Sequence, residues 1–542
     1  MNTSGIFAFI AIAMTFFSTC MAKPGDVQKI SSETLKDKIA GGWAGKMIGV
    51  TYGGVTEFSY RKRINEDPIK WTPAEIKSSN TQDDLYVQLT CLSAMDHYGV
   101  NVSAKQVQET IAKSGFTLWA ANLQGRKNYF TGIYPPASGS PEYNYRADDI
   151  DFQIEADYIG FMNPGMIQND IDMSDKFGHI TNWGDGVYGG TFMAAMISAG
   201  FFENDILKVV KKGLSAIPAE SNYAKIINDV IKLHKQYAGD WRAAWKELDD
   251  KWSETDISGA GIDFNFDASL NGAYAVMGLL YGKGDVMKTL EIATRCGQDS
   301  DCNPSNALAV LGVIKGFSKL PAEMTDEIKK MADTSFVHTS YTFNKAVETT
   351  FKYANQLIKK NGGFTKDNII TIPIQKATPK KLEVSFPNVI FDKEVSIFAK
   401  ENWKFTGNWQ LKQDPHWEKD HPPIDQAMFG TKAGDELEFS FDGSGIALYG
   451  NLYKKGGTAD FYVDGKRHQT IDTYYNYCSQ EPLDICIWHI FQLKPGKHVV
   501  QVVVRGEKRE ESSGTNICIT RALIYKTAPK KSDSFRFSFE KQ

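Results

Sequence analysis

The hydrophobic period changes once along this chain, and that change constrains its fold more than any other feature. Before Asn361-Gly362-Gly363, apolar residues recur at helical spacing. Ala224–Tyr237 places Ile227, Val230, Ile231 and His234 on one stripe, and Asn271–Gly282 groups Ala273, Val276, Met277 and Leu280. Asn303–Phe317 reads as a further helix. Its Pro304 falls in the first turn, where the missing N–H is tolerated. Its Gly312 and Gly316, four apart, allow another helix to come close. After the glycine pair the period becomes two. Glu436–Asp442 sets Leu437, Phe439 and Phe441 against Glu438, Ser440 and Asp442, and Phe461-Tyr462-Val463 runs into the hairpin signal Asp464-Gly465. His498–Val504 and Ile517–Tyr525 are further strands. The expected fold is multi-domain, α then β: an all-α domain at 30–361, a linker at 362–390 and a β-sandwich at 391–527. The 542 residues agree, since single cores rarely grow past roughly 250–300 residues.

Charge and cysteine content exclude several classes. The 61 basic and 65 acidic side chains leave −4, which gives no basic face for a nucleic acid. Seven cysteines in 542 residues do not make a disulfide scaffold. Cys478 and Cys486, eight apart, are a candidate bridge in an exported chain, and Cys91 reads as a buried thiol. The apolar run Ile6–Phe17 is short of the roughly 20 residues of a membrane span and ends in small residues before Lys23. It reads as a signal peptide, 1–22, that directs the chain to the periplasm or the exterior. Lipid attachment at Cys20 is a weaker alternative, because Phe17-Ser18-Thr19-Cys20 lacks the aliphatic residue a lipobox begins with. No other stretch is long and apolar enough to cross a bilayer.

Two acidic clusters sit at helix entrances: Asn80-Thr81-Gln82-Asp83-Asp84 and Gly297-Gln298-Asp299-Ser300-Asp301-Cys302-Asn303. Acidic residues there ordinarily cap helices. If the two turns converge instead, their carboxylates cannot all stay ionised without cations or large pKa shifts. Oxygen ligands of this kind suit Mg²⁺, Mn²⁺ or Ca²⁺ better than Zn²⁺. A third acidic stretch, Arg146–Gly165, holds Asp148, Asp149, Asp151, Glu155 and Asp157. It reads either as a charged loop entering an amphipathic helix or as a pocket wall that binds sugar hydroxyls or completes a metal site. Trp119, Tyr129, Tyr134 and Trp183 are candidates to stack on a sugar, or core residues. His97 and His179 stand alone and read as structural.

Together with these clusters, GGWAGKMIGVTYGGVTEF (41–58), WGDGVYGGTFMAAMISAGFF (183–202) and SAIPAESNYA (215–224) resemble the ADP-ribosylglycohydrolase family, related to the dinitrogenase reductase-activating glycohydrolase. The resemblance implies an all-α bundle with two divalent cations, usually magnesium. Carried over by position, it implies metal ligands at Asp83, Asp84, Asp299 and Asp301, with Gln82 offering a carbonyl oxygen where the family has threonine. The family's second threonine is Cys302 here, a soft atom poorly matched to magnesium. Catalytic roles fall to Glu57, Asp84 and Asp299. Substrate contacts fall to Asp148, Asp149, Asp151, Asn163, Asp185 and Tyr188, the acidic stretch being similar to an exported, larger subgroup.

The β half, with Trp403, Trp409, Trp417, Trp488, Tyr474, Tyr475 and Tyr477, resembles the galactose-binding-like jelly rolls often attached to carbohydrate-active enzymes. Its aromatics either stack on sugar or pack on the helical half. The expected activity is a secreted, divalent-metal-dependent hydrolysis of glycosidic bonds, in a furanose-containing glycan or glycoconjugate. The alternatives are an ADP-ribose or nucleoside substrate, a metal-free carboxylate pair, and a non-catalytic glycan-binding protein on the same scaffold.

Overall fold

The computed structural model describes residues 27–254, 257, 265–413 and 426–528. The expected signal peptide, Cys20 and Trp417 lie outside them.

The helical domain is organised by its first helix, Ser32–Gly54, whose N-cap Ser31 accepts a hydrogen bond from the Thr34 N–H. The helix carries Gly41, Gly45, Gly49 and Gly53, one every fourth residue and therefore on one face. That face lies backbone against backbone on Cys302–Lys315 and the turn before it. A Cβ at Gly41 would stand 2.3 Å from the Gly312 carbonyl oxygen, at Gly45 2.0 Å from that of Leu308, at Gly49 2.4 Å from that of Pro304, and at Gly53 1.8 Å from that of Ser300. The two helices run antiparallel, so the C-terminal end of the first meets the N-terminal end of the second. Gly312 is part of this seam, as its spacing suggested. Gly316 closes the seam: it ends the helix at φ +84° beside the Asp37 carboxylate, and a Cβ at Gly41 would stand 2.8 Å from its carbonyl carbon.

Further helices cover the pair. The apolar Asp185–Gly200 and Ala268–Gly282 are buried almost all round, which marks central rather than surface helices. Asn222–Gln236 is amphipathic, with Ile227 and Val230 buried as the periodicity predicts. A three-stranded antiparallel sheet ties the ends of this domain together: Val27–Ser31 pairs with Ile369–Pro373, which pairs with Phe364–Lys366. The expected linker therefore begins as sheet.

Residues 374–388 then run along the helical surface. Gln375 accepts from the Asn169 N–H at 3.0 Å, Lys380 pairs with Asp172 at 2.8 Å, and the Glu383 N–H donates to the Tyr188 hydroxyl at 2.6 Å. The β domain follows. One antiparallel sheet orders Lys466–Asp472, Thr458–Val463, Gly496–Val504, Glu436–Gly443 and Trp403–Thr406. Another orders Ile485–Ile490, Gly445–Gly450, Arg521–Thr527 and Val389–Ser396. Leu437, Phe439 and Phe441 point inward, as their alternation predicts.

Several of the β domain's described aromatics serve packing. Trp403 and Trp488 are buried, and Tyr477 stacks on Phe130 of the helical domain with centroids 3.8 Å apart. Buried Arg126 donates to the Tyr475 hydroxyl, buried Lys127 to the Ile487 carbonyl, and Tyr145 and Tyr525 share a hydroxyl–hydroxyl hydrogen bond. The suggested Cys478–Cys486 bridge is not formed: the two thiols donate to the carbonyls of Gln480 and Trp488. Cys91 is a buried thiol, as expected.

The seam makes a direct prediction. Alanine normally stabilises a helix by about 1 kcal/mol over glycine. Gly45→Ala and Gly49→Ala are instead expected to destabilise the protein by about 1–3 kcal/mol through overlap with carbonyls that cannot move independently. Gly239→Ala, in open space, is expected to be near neutral. Denaturant unfolding of the three variants checks this.

Candidate active site

The seam decides where the acidic clusters go. Glu57 follows the last turn of the first helix. Asp299 and Asp301 precede Cys302–Lys315, which the seam lays alongside. The 297–301 turn is pinned. Gly297 (φ +80°) and Gln298 (φ +56°) are both left-handed, and a Cβ on Gly297 would stand 2.4 Å from the Tyr60 carbonyl oxygen. The Gln298 N–H donates to that carbonyl at 3.0 Å. Asn271 accepts from the Asp299 N–H at 3.3 Å and from the Asn303 amide at 3.1 Å. Thr56 and Ser300 share a hydroxyl contact at 3.2 Å, closing the turn onto the end of the first helix.

Among the described residues two groups of possible ligand atoms result, each within 4.8 Å of one another: Glu57, Asp299 and Asp301; and Asp84, Asp301 and Cys302. Asp301 belongs to both. It stands at the N-cap of its helix yet makes no side-chain capping hydrogen bond, so the ordinary capping role is not what holds it there. Its Oδ1 is buried and has no hydrogen-bond partner among the described residues. A buried carboxylate oxygen left unpaired is costly, and a hard cation is the partner that oxygen fits. The donor sets therefore suit a divalent cation, best at the all-oxygen group.

Burial and mutual repulsion set the proton affinities. Glu57 is pushed up to about 9 by burial, then by Asp301, Asp83 and Asp84. Asp83 is pushed up to about 7 by burial and then by Asp84 and Asp301, and Asp301 to about 6 by burial and then by Asp84. Asp299 stands well above the carboxylate range, from burial and then Asp301. Glu57 and Asp83 are part-exposed, whereas Asp84, Asp299 and Asp301 are buried. The cluster thus has an open edge and a closed floor.

The floor holds residues that the sequence reading left unassigned. Lys46, fully buried in the glycine helix, places its ammonium 3.2 Å from Asp84 Oδ1 and 2.8 Å from Asp157 Oδ2. Asn306 donates to Asp157 at 3.2 Å. The signal was present: a lysine inside a helix with no polar face needs a buried carboxylate.

Gln82 sits at the N-cap of Asp83–Tyr98, with its main-chain carbonyl taken by Leu85 and Tyr86. The expected substrate residues divide. Asp151 is buried and accepts from the Ala121 and Asn122 N–H groups at 3.2 and 3.1 Å, capping Ala120–Phe130; it lies close enough to raise Asp83. Asp148 accepts from Ser385, and Asp149 pairs with Arg146 at 3.4 Å. Asp185 accepts from the Tyr223 N–H at 3.0 Å, Tyr188 holds residues 381–383, and buried Asn163 accepts from Asn169 and Ser198. None of Asn163, Asp185 and Tyr188 joins the carboxylate cluster; each ties helices or the connecting segment together. Trp183 packs edge-on to His179 at 4.6 Å, and His179 pairs with Glu383 at 2.9 Å. Trp119, just before the helix that Asp151 caps, is 52% exposed.

These pKa shifts predict a pH-dependent cation effect. In the unfolded chain the carboxyls titrate near 4. From about pH 4 to about 9 the cation-free folded protein holds protons that the unfolded chain has lost, so its stability falls as pH rises. Saturating Mg²⁺ is expected to raise the Tm of chelator-treated protein more at about pH 8.5 than at about pH 5.5. Scanning calorimetry at both values checks this, and equal increments would contradict it.

Comparison with known proteins agrees with the geometry. A family model described as "ADP-ribosylglycohydrolase" matches residues 31–358. No curated protein matches the chain. A solved "ADP-ribosylglycohydrolase-related protein complex" aligns over 59% of this chain and 98% of its own, at 11% identity and TM-score 0.42. A Paenibacillus xanthan lyase aligns over 29% of this chain and 15% of its own, at 13% identity and TM-score 0.20. The CBM36-1 domain of a multidomain xylanase, from the hindgut metagenome of Trinervitermes trinervoides, aligns over 26% of this chain and 98% of its own, at 11% identity and TM-score 0.17. With its glycine helix, its two acidic turns and more than half of its length within the match, the chain belongs to the ADP-ribosylglycohydrolase family.

Proposed function

We propose that the protein is an exported hydrolase of glycosidic bonds that depends on a divalent cation at Glu57, Asp299 and Asp301. The observation that carries this reading is Asp301, whose buried Oδ1 lacks a partner where two carboxylate-lined turns meet. A bound cation, magnesium being the family's usual one, would orient sugar hydroxyls and lower the pKa of a bound water. Glu57 and Asp83, the members that solvent reaches, then hold or accept the proton of the attacking water. Asp84, committed to Lys46 and Cys302, fixes the floor rather than meeting substrate. Asp151 positions the helix behind exposed Trp119, whose ring is available to stack on a sugar face.

The substrate class follows from the signal-like amino terminus and the attached β-sandwich. An exported enzyme meets glycans and glycoconjugates, and the family's chemistry at a ribofuranose makes furanose units the favoured target. ADP-ribose and nucleoside conjugates are the second reading, favoured by the family match itself. A mass-spectrometric screen separates them: furanose- and pyranose-containing glycans, ADP-ribosylated peptide and nucleosides, each with and without chelator. Free sugar released from a furanose glycan and lost on chelation is the expected result. Release of ADP-ribose alone would establish the second reading.

On the substrate found, Glu57→Gln is expected to lower kcat by about 10²–10⁴-fold. Asp299→Asn is expected to abolish the response to added cation. Turnover unchanged in both variants would sink the proposed site.

A further inference from the structure

Lys46 has no part in the proposed chemistry, yet it occupies the centre of the site's floor. Lys46, Asp84 and Asp157 have no solvent exposure. Its ammonium lies between the two carboxylates, and Cys302 Sγ sits 3.4 Å from the second oxygen of Asp84. Both oxygens of Asp84 are therefore engaged. Of the two possible ligand groups, one is all oxygen and the other contains this thiol. A hard divalent cation prefers the first. In the second it would displace the thiol and add its charge beside a buried ammonium, where repulsion is poorly screened.

We infer that Lys46 is a built-in cation that takes the place of a second metal ion, so that the centre holds one divalent cation per chain, on Glu57, Asp299 and Asp301. This rests on the metal-dependent reading above. Asp301 Oδ1 remains open to that ion. Asp84 and Asp157, which a second ion would otherwise have to neutralise, are already balanced by the lysine. The ammonium cannot dissociate, so this half of the centre stays assembled when divalent cations are scarce.

The test uses the full mature chain, stripped of metal and titrated with Mn²⁺, with free Mn²⁺ counted by its paramagnetic resonance. One ion per chain with the spectrum of an isolated Mn²⁺ is expected. Two ions with an exchange-coupled spectrum would overturn the inference and leave the metal reading intact. No binding would overturn both. Lys46→Met is expected to raise the count to two, because it frees Asp84 and Asp157; Lys46→Arg, which keeps the charge, should leave it at one. A folded Lys46→Met protein that still binds one ion would refute the lysine's role, and if that variant fails to fold, the wild-type count decides.

Discussion

Everything in the helical domain depends on the backbone-to-backbone seam between Ser32–Gly54 and Cys302–Lys315. Each interior glycine costs a helix roughly 0.5–1 kcal/mol, and this one places four on a single face. What offsets the cost is contact that no side chain would permit, with Cβ positions 1.8–2.4 Å from the opposing carbonyl oxygens. A slide by a single turn would separate Glu57 from Asp299 and Asp301, so packing energy and site geometry are the same constraint.

The site concentrates acidic groups where burial disfavours their charge. The fold resolves part of that conflict with Lys46, part with the backbone N–H donors on Asp151, and leaves Asp301 Oδ1 unresolved. A half-balanced cluster with an open edge at Glu57 and Asp83 has the donor set for a divalent cation. A wholly structural cluster would have been closed with hydrogen bonds.

The change of period near 361 made the two halves legible, and the strands at 436–442 and 496–504 carried clean alternation. The acidic turns were legible as motifs. Their convergence came from the family resemblance and not from spacing, because the glycine pattern that causes it shows only once the facing helix is known. Lys46 was missed because it lay within a recognised motif and was read as part of its pattern, not as a charge needing a partner. Asn163, Asp185 and Tyr188, expected to meet substrate, bond here to Ser198, Tyr223 and Glu383, because polar residues in glycine-rich turns also hold packed elements together. The extent of the linker was misjudged because Phe364–Lys366 and Ile369–Pro373 are too short to show a period, and their partner Val27–Ser31 is more than 300 residues away.

The β-sandwich is joined to the helical domain by buried Arg126 and Lys127, by the Phe130–Tyr477 stack and by the Tyr145–Tyr525 hydrogen bond. Several of the aromatics that suggest sugar binding in the sequence are consumed in that packing. The most direct test is anomalous diffraction from a crystal of the mature protein grown with Mn²⁺. A single peak among Glu57, Asp299 and Asp301, with Lys46 still between Asp84 and Asp157, is the predicted result. Manganese bound elsewhere, or absent from those carboxylates at saturating concentration, would contradict it.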